Sequence, residues 1–502
     1  MKLFTLRFFI ALLLLGATIE SNAQTTTAVI PGDFPDPTII STPKGYYAAG
    51  TSSEWAPHYP IYHSTDLKNW KQVGYVFDKT PQWITGSFWA PEYYHIGNTY
   101  YIYYTARRKA DNISCIGVAT SKYPDHGFTD HGVIVDFGKE AIDPFIYNDN
   151  GQLYISFKAY GLDNRPIELL AYKLSADGLK TEGETFSLLK DDKKAGMEGQ
   201  SFLKHGKYYY LFYSAGGCCG IPCSYHVKVA RATKFAGPYE KSDNEQLLKP
   251  APGWKCSGHG TFVKNTNGTY AYLCHAYSER SEVFTGREGV LSTLSWDAKS
   301  GWPVMKALNE ARPLPNIHDN FMAKSPALYW QYDFHNAAPV VKQGNGIFSL
   351  SGKTLDKNTT GIVYGVRPLS DHFDMTTTVT NHNDALKGLT FYGTSNAALG
   401  IGTAGKSVKL WMVRDGKFSV IDSAAITGNS RVELKFSMTP DRTCKAYYKQ
   451  GGDKWTELNA GGNASLNFLP QWDRPQRIGL FFKGLPTEKA QFSSFSVENK
   501  KD

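Results

Sequence analysis

Five stretches decide the fold: GYYAAGTS (45–52), GNTYYIYYTA (97–106), GQLYISFKAYG (151–161), GKYYYLFYSAG (206–216) and GTYAYLCHAYS (268–278). Each opens on a glycine that suits a tight turn and continues as a run rich in Tyr and aliphatic residues, the composition of a β-strand. Their starts are spaced by about 52, 54, 55 and 62 residues, a period that marks a repeat architecture. A second apolar run follows each: PIYHSTDL, SCIGVATS, IELLAYKLS, YHVKVARAT and GVLSTLSWD. No stretch carries helical periodicity of any length, so each unit reads as three or four short antiparallel strands.

Five small sheets in succession suit a five-bladed β-propeller over residues 28–312. In that architecture the innermost strand of every blade aims its leading residues at a common axis. Residues distant in sequence, at equivalent places in different blades, then share one pocket. After RPLPNIHDNF (312–321) the pattern changes to strands of alternating polarity, among them SVKLWMVRDGKFSVI, SRVELKFSMT and QRIGLFFKG, which predicts a β-sandwich over 318–500. The chain as a whole is expected to be all-β.

Composition excludes several functions. Hydrophobic residues make up 41% and charged residues 20%, a globular balance, and the net charge of +8 is modest for 502 residues. No basic run tracks phosphates, so nucleic acid is not an expected partner. Aromatic residues reach 14%; most fill sheet cores, and some stack on sugar rings in clefts. Residues 1–23 combine Lys2 and Arg7, the apolar FFIALLLLGA and a small-residue site at Ser21-Asn22-Ala23. That is the form of a secretory signal peptide, too short to span a bilayer. A secreted or periplasmic location without a membrane partner after cleavage is the expectation. Seven cysteines leave at least one unpaired. The CCGIPC cluster predicts a local disulfide, with neighbouring cysteines as candidates and the pairing open.

Three acids precede or open short apolar strands that lead into the Tyr hairpins: Asp36 in PGDFPDPTII, Asp143 in AIDPFIYND and Glu198 in GMEGQSFLKHGKYYY. A single Asp-Pro step is an ordinary turn signal, because Pro fixes φ and Asp bonds nearby backbone. Two such steps and one Glu-Gly step, each in a different repeat, point to chemistry instead. Cleaving a glycosidic bond takes a proton donor on the leaving oxygen and a carboxylate opposite it, and a third acid can tune the donor.

PGDFPDPTII, SFWAPE, AIDPFIYND, MEGQSF and TGREGVL together, in this order over residues from about 30 to 310, resemble the signature of glycoside hydrolase family 43. The segment from HDNFMAKSPALYWQYDF resembles the concanavalin-like sandwich attached to many β-xylosidases of that family. The resemblance implies an inverting hydrolase with Asp36 as general base, Glu198 as general acid and Asp143 as the residue that tunes and orients the acid. Asp33 lacks the following Pro of the motif and is set aside as the base. Trp89 is similar to the family's sugar-contacting aromatic, with an ordinary core Trp as the alternative, and Phe34 and Arg287 join it as substrate-binding candidates; for Arg287 a salt bridge to Glu288 or Glu282 is the alternative. Glu92 is read as structural. His259 in SGHGTF matches a histidine at the propeller axis. Its alternatives are a water-mediated structural calcium or other cation, or a buried ring hydrogen-bonded near the acid. No cofactor is required.

The expected activity is exo-release of a terminal pentose, α-L-arabinofuranose or β-D-xylose, from plant polysaccharide or oligosaccharide. An exo-galactosidase of the same family, a family 32-type retaining fructosidase and a non-catalytic carbohydrate-binding propeller are the alternatives. The cysteine-rich loop after Glu198 departs from the commonest xylosidase pattern and leaves the sugar open.

Overall fold

A computed structural model describes residues 25–500, apart from 27, 139, 162–164, 266, 282, 356, 428–430, 453, 460–461 and 471–473. The expected signal peptide lies outside the described residues. Among the described residues every regular element is a strand, and no helix is long and apolar enough to cross a membrane.

Five antiparallel meanders of four strands fill the chain up to Ala307. Their first strands are β1 (Thr38–Thr42), β2 (Ile84–Ile96), β3 (Glu140–Asp149), β4 (Glu198–His205) and β5 (Trp254–Lys264). The Tyr-rich runs are the second strands of all five, and the apolar runs after them are the third. The second and third meanders join through one parallel bridge, Glu140 to Ser114.

The second strands are buried on both faces, which is why they read as continuous apolar runs rather than alternating ones. Tyr208–Ala215, for example, buries every residue after the first. Hydrophobic clusters form between consecutive meanders: Tyr47, Tyr59 and Phe77 with Phe88 and Tyr104, Tyr103 and Val118 with Ile155 and Phe157, Leu169 and Phe145 with Leu211 and Phe235, Phe212 and Val229 with Tyr272 and Leu294. The last meander packs on the first through Leu273 and Leu291 against Ile39 and Ala48. The first strands adjoin in the same cyclic order, with β5 returning to β1.

Beyond residue 313 two further antiparallel sheets, of nine and six strands, enclose one core that includes Trp330, Phe348, Phe391, Phe436 and Phe492. Phe373–Val379 alternates buried and half-buried positions as a one-sided strand should, whereas Leu386–Thr394 is buried almost throughout. The cause is a second contact. The six-stranded sheet also packs its other face, with Tyr392, Trp411 and Phe481, on Trp55 from the first meander.

Candidate active site

The site is built by one backbone device used five times. In or just ahead of each first strand a residue at a matching place adopts a left-handed conformation, Asp36 (φ 50°), Ala90 (43°), Asp143 (57°), Gly199 (58°) and His259 (43°), with Ser87 (58°) and Cys256 (57°) adding a second in β2 and β5. Within β2 to β5 these residues sit inside breaks in ladder register, between Trp89 and Glu92, Ile142 and Phe145, Glu198 and Ser201, and Gly258 and Gly260. Such bulges re-aim side chains. For a residue other than Gly the conformation costs of order 1–3 kcal/mol and persists only where its surroundings enforce it.

Enforcement is visible at each matching place, because the N–H that leaves the ladder finds a side chain. Asp36 donates to His275 Nδ1 (3.1 Å), Ala90 to Thr51 Oγ1 (2.8 Å) and Asp143 to Thr105 Oγ1 (3.0 Å). Gly199 donates to Asp143 Oδ2 (3.0 Å) and His259 to Ser214 Oγ (2.8 Å). Gly199 must be glycine on a second count: a Cβ there would stand 2.6 Å from His259 Cγ.

The three acids meet through these contacts. Asp36 Oδ1 accepts from Arg287 Nη1 at 2.9 Å and lies 3.2 Å from His275 Nδ1 and 3.4 Å from His259 Nδ1. Thr51 Oγ1 donates to Asp36 Oδ2 at 2.7 Å. The same His259 Nδ1 is 3.9 Å from Asp143 Oδ2, so one imidazole stands between the two aspartates. Glu198 is tied to Asp143 by the neighbouring Gly199 amide. Its Oε2 accepts from Lys158 Nζ at 2.6 Å and its Oε1 from Tyr225 Oη at 3.0 Å.

Charge separates the acids into two kinds. Burial opposes ionisation of Asp36, but the Arg287 guanidinium, backed by His259, outweighs it and holds the carboxyl well below the usual carboxylate range. Asp143 goes the other way. Burial, reinforced by Glu198 and Asp36 and only partly offset by His259 and Lys158, pushes it up to about 6. For Glu198 burial again favours the neutral acid, yet Lys158, His259 and Tyr225 bring the carboxyl below its ordinary value. Of the two, Asp143 is pushed toward the neutral form and Glu198 toward the charged one. Burial lowers His275 to about 4, so that ring is neutral.

The remaining expected residues divide. Trp89 is half-buried, its Nε1 has no partner among the described residues, and the Arg107 guanidinium lies 5.6 Å from its ring. Arg287 reaches Asp36 rather than Glu288, whose carboxylate accepts from Thr285 and the Gly32 amide; Glu282 lies outside the described residues. Glu92 is buried and accepts from Thr38 Oγ1 at 2.8 Å. Asp33 pairs with Arg477 at 3.1 Å. Phe34 is a correction. It is fully buried, edge-on to Tyr62 and pressed against Gly50, and has no surface to offer a sugar. Among the described residues no group of three or more His, Cys, Asp or Glu is arranged to hold a metal directly, and His259 Nδ1 faces Asp36 and Asp143.

Sequence reading missed Lys158, His275 and Tyr225. Lys158 and His275 had a signal, since each is a polar residue inside a continuously apolar second strand. Tyr225 had none among 31 tyrosines. The cysteine loop is closed by Cys218–Cys219 and pinned by Cys223–Cys256 to β5, with Cys115, Cys274 and Cys444 free and buried. The pairing is thus local only in part.

The model of glycosyl hydrolases family 43 matches residues 25–303. The chain belongs to glycoside hydrolase family 43. It is a glycosidase. An extracellular exo-α-(1→5)-L-arabinofuranosidase, ArbA of Cellvibrio japonicus, is 31% identical over 58% of this chain and 90% of its own length. A putative β-xylosidase of Escherichia coli K12 is 25% identical over 62% of each chain. Among solved structures, the xylan β-1,4-xylosidase of Bacillus halodurans C-125 superposes over 94% of this chain and 99% of its own, with a TM-score of 0.79 and 22% identity. That likeness covers both halves of the family 43 chain and speaks to its fold.

Proposed function

We propose that this family 43 enzyme is a secreted, inverting exo-glycosidase that releases a terminal pentose, α-L-arabinofuranose or β-D-xylose, from plant polysaccharide or its fragments. The cyclic order of first strands and of the clusters between meanders supports reading residues 28–312 as a closed five-bladed propeller. The shared core of the two later sheets supports a β-sandwich over 318–500.

One observation carries the mechanism: His259 Nδ1 stands between Asp36 and Asp143, at 3.4 and 3.9 Å, with Asp36 paired to Arg287 on one side and Asp143 bonded to the amide next to Glu198 on the other. Asp36 takes the proton of a water as its oxygen bonds to the anomeric carbon. Glu198 gives its proton to the leaving oxygen as the glycosidic C–O bond breaks, and the sugar departs with inverted configuration. Asp36 ends protonated and Glu198 ionised. Asp143 holds the pair's proton in the free enzyme and passes it to Glu198 when the leaving group parts Lys158 from that carboxylate. The half-buried Trp89 ring and Arg287, which holds Asp36, are assigned to the sugar.

The sugar and the exo mode rest on relatives such as ArbA and the E. coli protein, by what their names say. An endo-acting arabinanase is the second reading, favoured by the arabinan endo-1,5-α-L-arabinosidase A of Aspergillus niger, 29% identical over 43% of this chain and 73% of its own. Nitrophenyl pentosides and galactosides, linear arabinan and xylo-oligosaccharides, followed by proton NMR, separate these. Free pentose appearing first as the inverted anomer is expected. Retained configuration overturns the mechanism, and mixed oligosaccharides from arabinan establish the endo reading.

A further inference from the structure

Two arginines from the second half of the chain, outside the segment that the family model matches, reach the loop that carries Asp36. Arg367 follows the strand Ile362–Val366, and Arg477 opens the paired strand Arg477–Lys483 of the six-stranded sheet. Arg477 Nη2 bonds Asp33 Oδ2 at 3.1 Å, and Arg367 Nη1 donates to the Asp33 carbonyl at 2.9 Å. Arg477 is itself fixed by Gln331 Oε1 (3.1 Å) and by the Trp55 ring, 4.5 Å from its guanidinium. All five side chains are buried.

The same segment touches the other side of the site. Pro475 and Asp33 close on Gly286 (φ 82°) so tightly that a Cβ there would meet Asp33 Oδ1 at 2.5 Å and Pro475 Cγ at 2.8 Å. Gly286 immediately precedes Arg287, the partner of Asp36. The two loops are stitched together next to it, by Phe34 N–H on the Arg287 carbonyl at 2.7 Å. One wedge from the second half thus fixes both members of the Asp36–Arg287 pair.

We infer that Arg477, seconded by Arg367, is a positioning residue for the water-activating carboxylate: through Asp33 it sets the distance and angle between Asp36 and Arg287, so the second half of the chain completes the site built by the first. A buried ion pair is weak evidence for stability, since apolar replacements often do as well. A pair placed three residues from a strained, buried carboxylate has a positional use instead. The inference rests on Asp36 being the base.

The test uses the full chain with Arg477→Met, Arg477→Lys and the double variant Asp33→Asn/Arg477→Met. Misplacing a reacting group by about 1 Å can cost about 100-fold. Arg477→Met is expected to lower kcat by about 10- to 100-fold with KM within about twofold. It should also move the acid limb of kcat/KM to higher pH, because Asp36, faced by Arg287, His259 and His275, loses alignment with the first of these. Arg477→Lys moves both in the same direction by less, and supplies a folded protein should the methionine variant not accumulate. The double variant removes the unpaired charge, so its unfolding temperature recovers while kcat and the acid limb do not. Wild-type kcat and pH limb in the double variant or in Arg477→Lys overturn the inference. Undiminished activity of Asp36→Asn overturns the base assignment instead, whatever the Arg477 variants do.

Discussion

Lys158 Nζ lies 2.6 Å from Glu198 Oε2, and with Tyr225 Oη on Oε1 at 3.0 Å it leaves neither oxygen of that carboxylate without a donor. To act as an acid Glu198 must carry a proton of its own, and the Lys158 cation on Oε2 opposes that. Tyr225 is held in a buried cluster and stacked parallel to His275, whereas lysine ends a flexible stem, so Lys158 is the donor that gives way. The Asp143–Glu198 pair keeps its proton below about pH 6 and loses it above, which places the alkaline limb of kcat/KM near that value. Removing a cation makes the pair hold its proton more tightly. Lys158→Met therefore moves the alkaline limb upward, measured as kcat/KM against pH on a nitrophenyl pentoside. An unmoved limb removes Lys158 from the proton inventory.

Gly199 offers a test that replaces no acid. Its φ of 58° and the 2.6 Å approach of His259 Cγ to a Cβ leave no room for a methyl group. Gly199→Ala is expected to cost about 1–2 kcal/mol from the left-handed backbone alone, read as a lower denaturant midpoint. It also pushes the imidazole away from Asp36 and Asp143, so kcat falls in the fraction that remains folded. Wild-type kcat in that fraction would mean that the placement of His259 has no bearing on turnover.

The Cys223–Cys256 bridge, 33 residues apart, ties the loop before Tyr225 to β5 three residues ahead of His259. Replacing both cysteines by serine is expected to lower stability by about 2–4 kcal/mol and to raise KM as the Tyr225 side of the site loosens. Thermal unfolding and Michaelis kinetics read the two effects separately.

Much of this was legible in the chain. The glycine-plus-Tyr period located every second strand, because strands buried on both faces need unbroken apolar runs and each sheet restarts at a turn. That Asp36, Asp143 and Glu198 come together was legible because each lies in or just ahead of the first strand of a different repeat, although Glu198 stands one residue before the left-handed point that Asp36 and Asp143 occupy. Contacts that cross between repeats were not. Arg287 on Asp36 spans 251 positions and Arg477 on Asp33 spans 444, and no local pattern encodes such pairings. Phe34 was misjudged for a related reason: its neighbour Asp36 turns inward through one left-handed residue, while Phe34 itself fills the gap that Gly50 and Gly289 leave.

The assignment of the proton donor is tested most directly by Glu198→Ala on two substrates of the same sugar, one a natural oligosaccharide and one a 2,4-dinitrophenyl glycoside whose leaving group departs without a proton. A general acid contributes about 10²–10⁴-fold. The account predicts a loss of that size in kcat/KM on the oligosaccharide and a far smaller one on the dinitrophenyl glycoside. Equal losses on both, or full activity on the oligosaccharide, would contradict it.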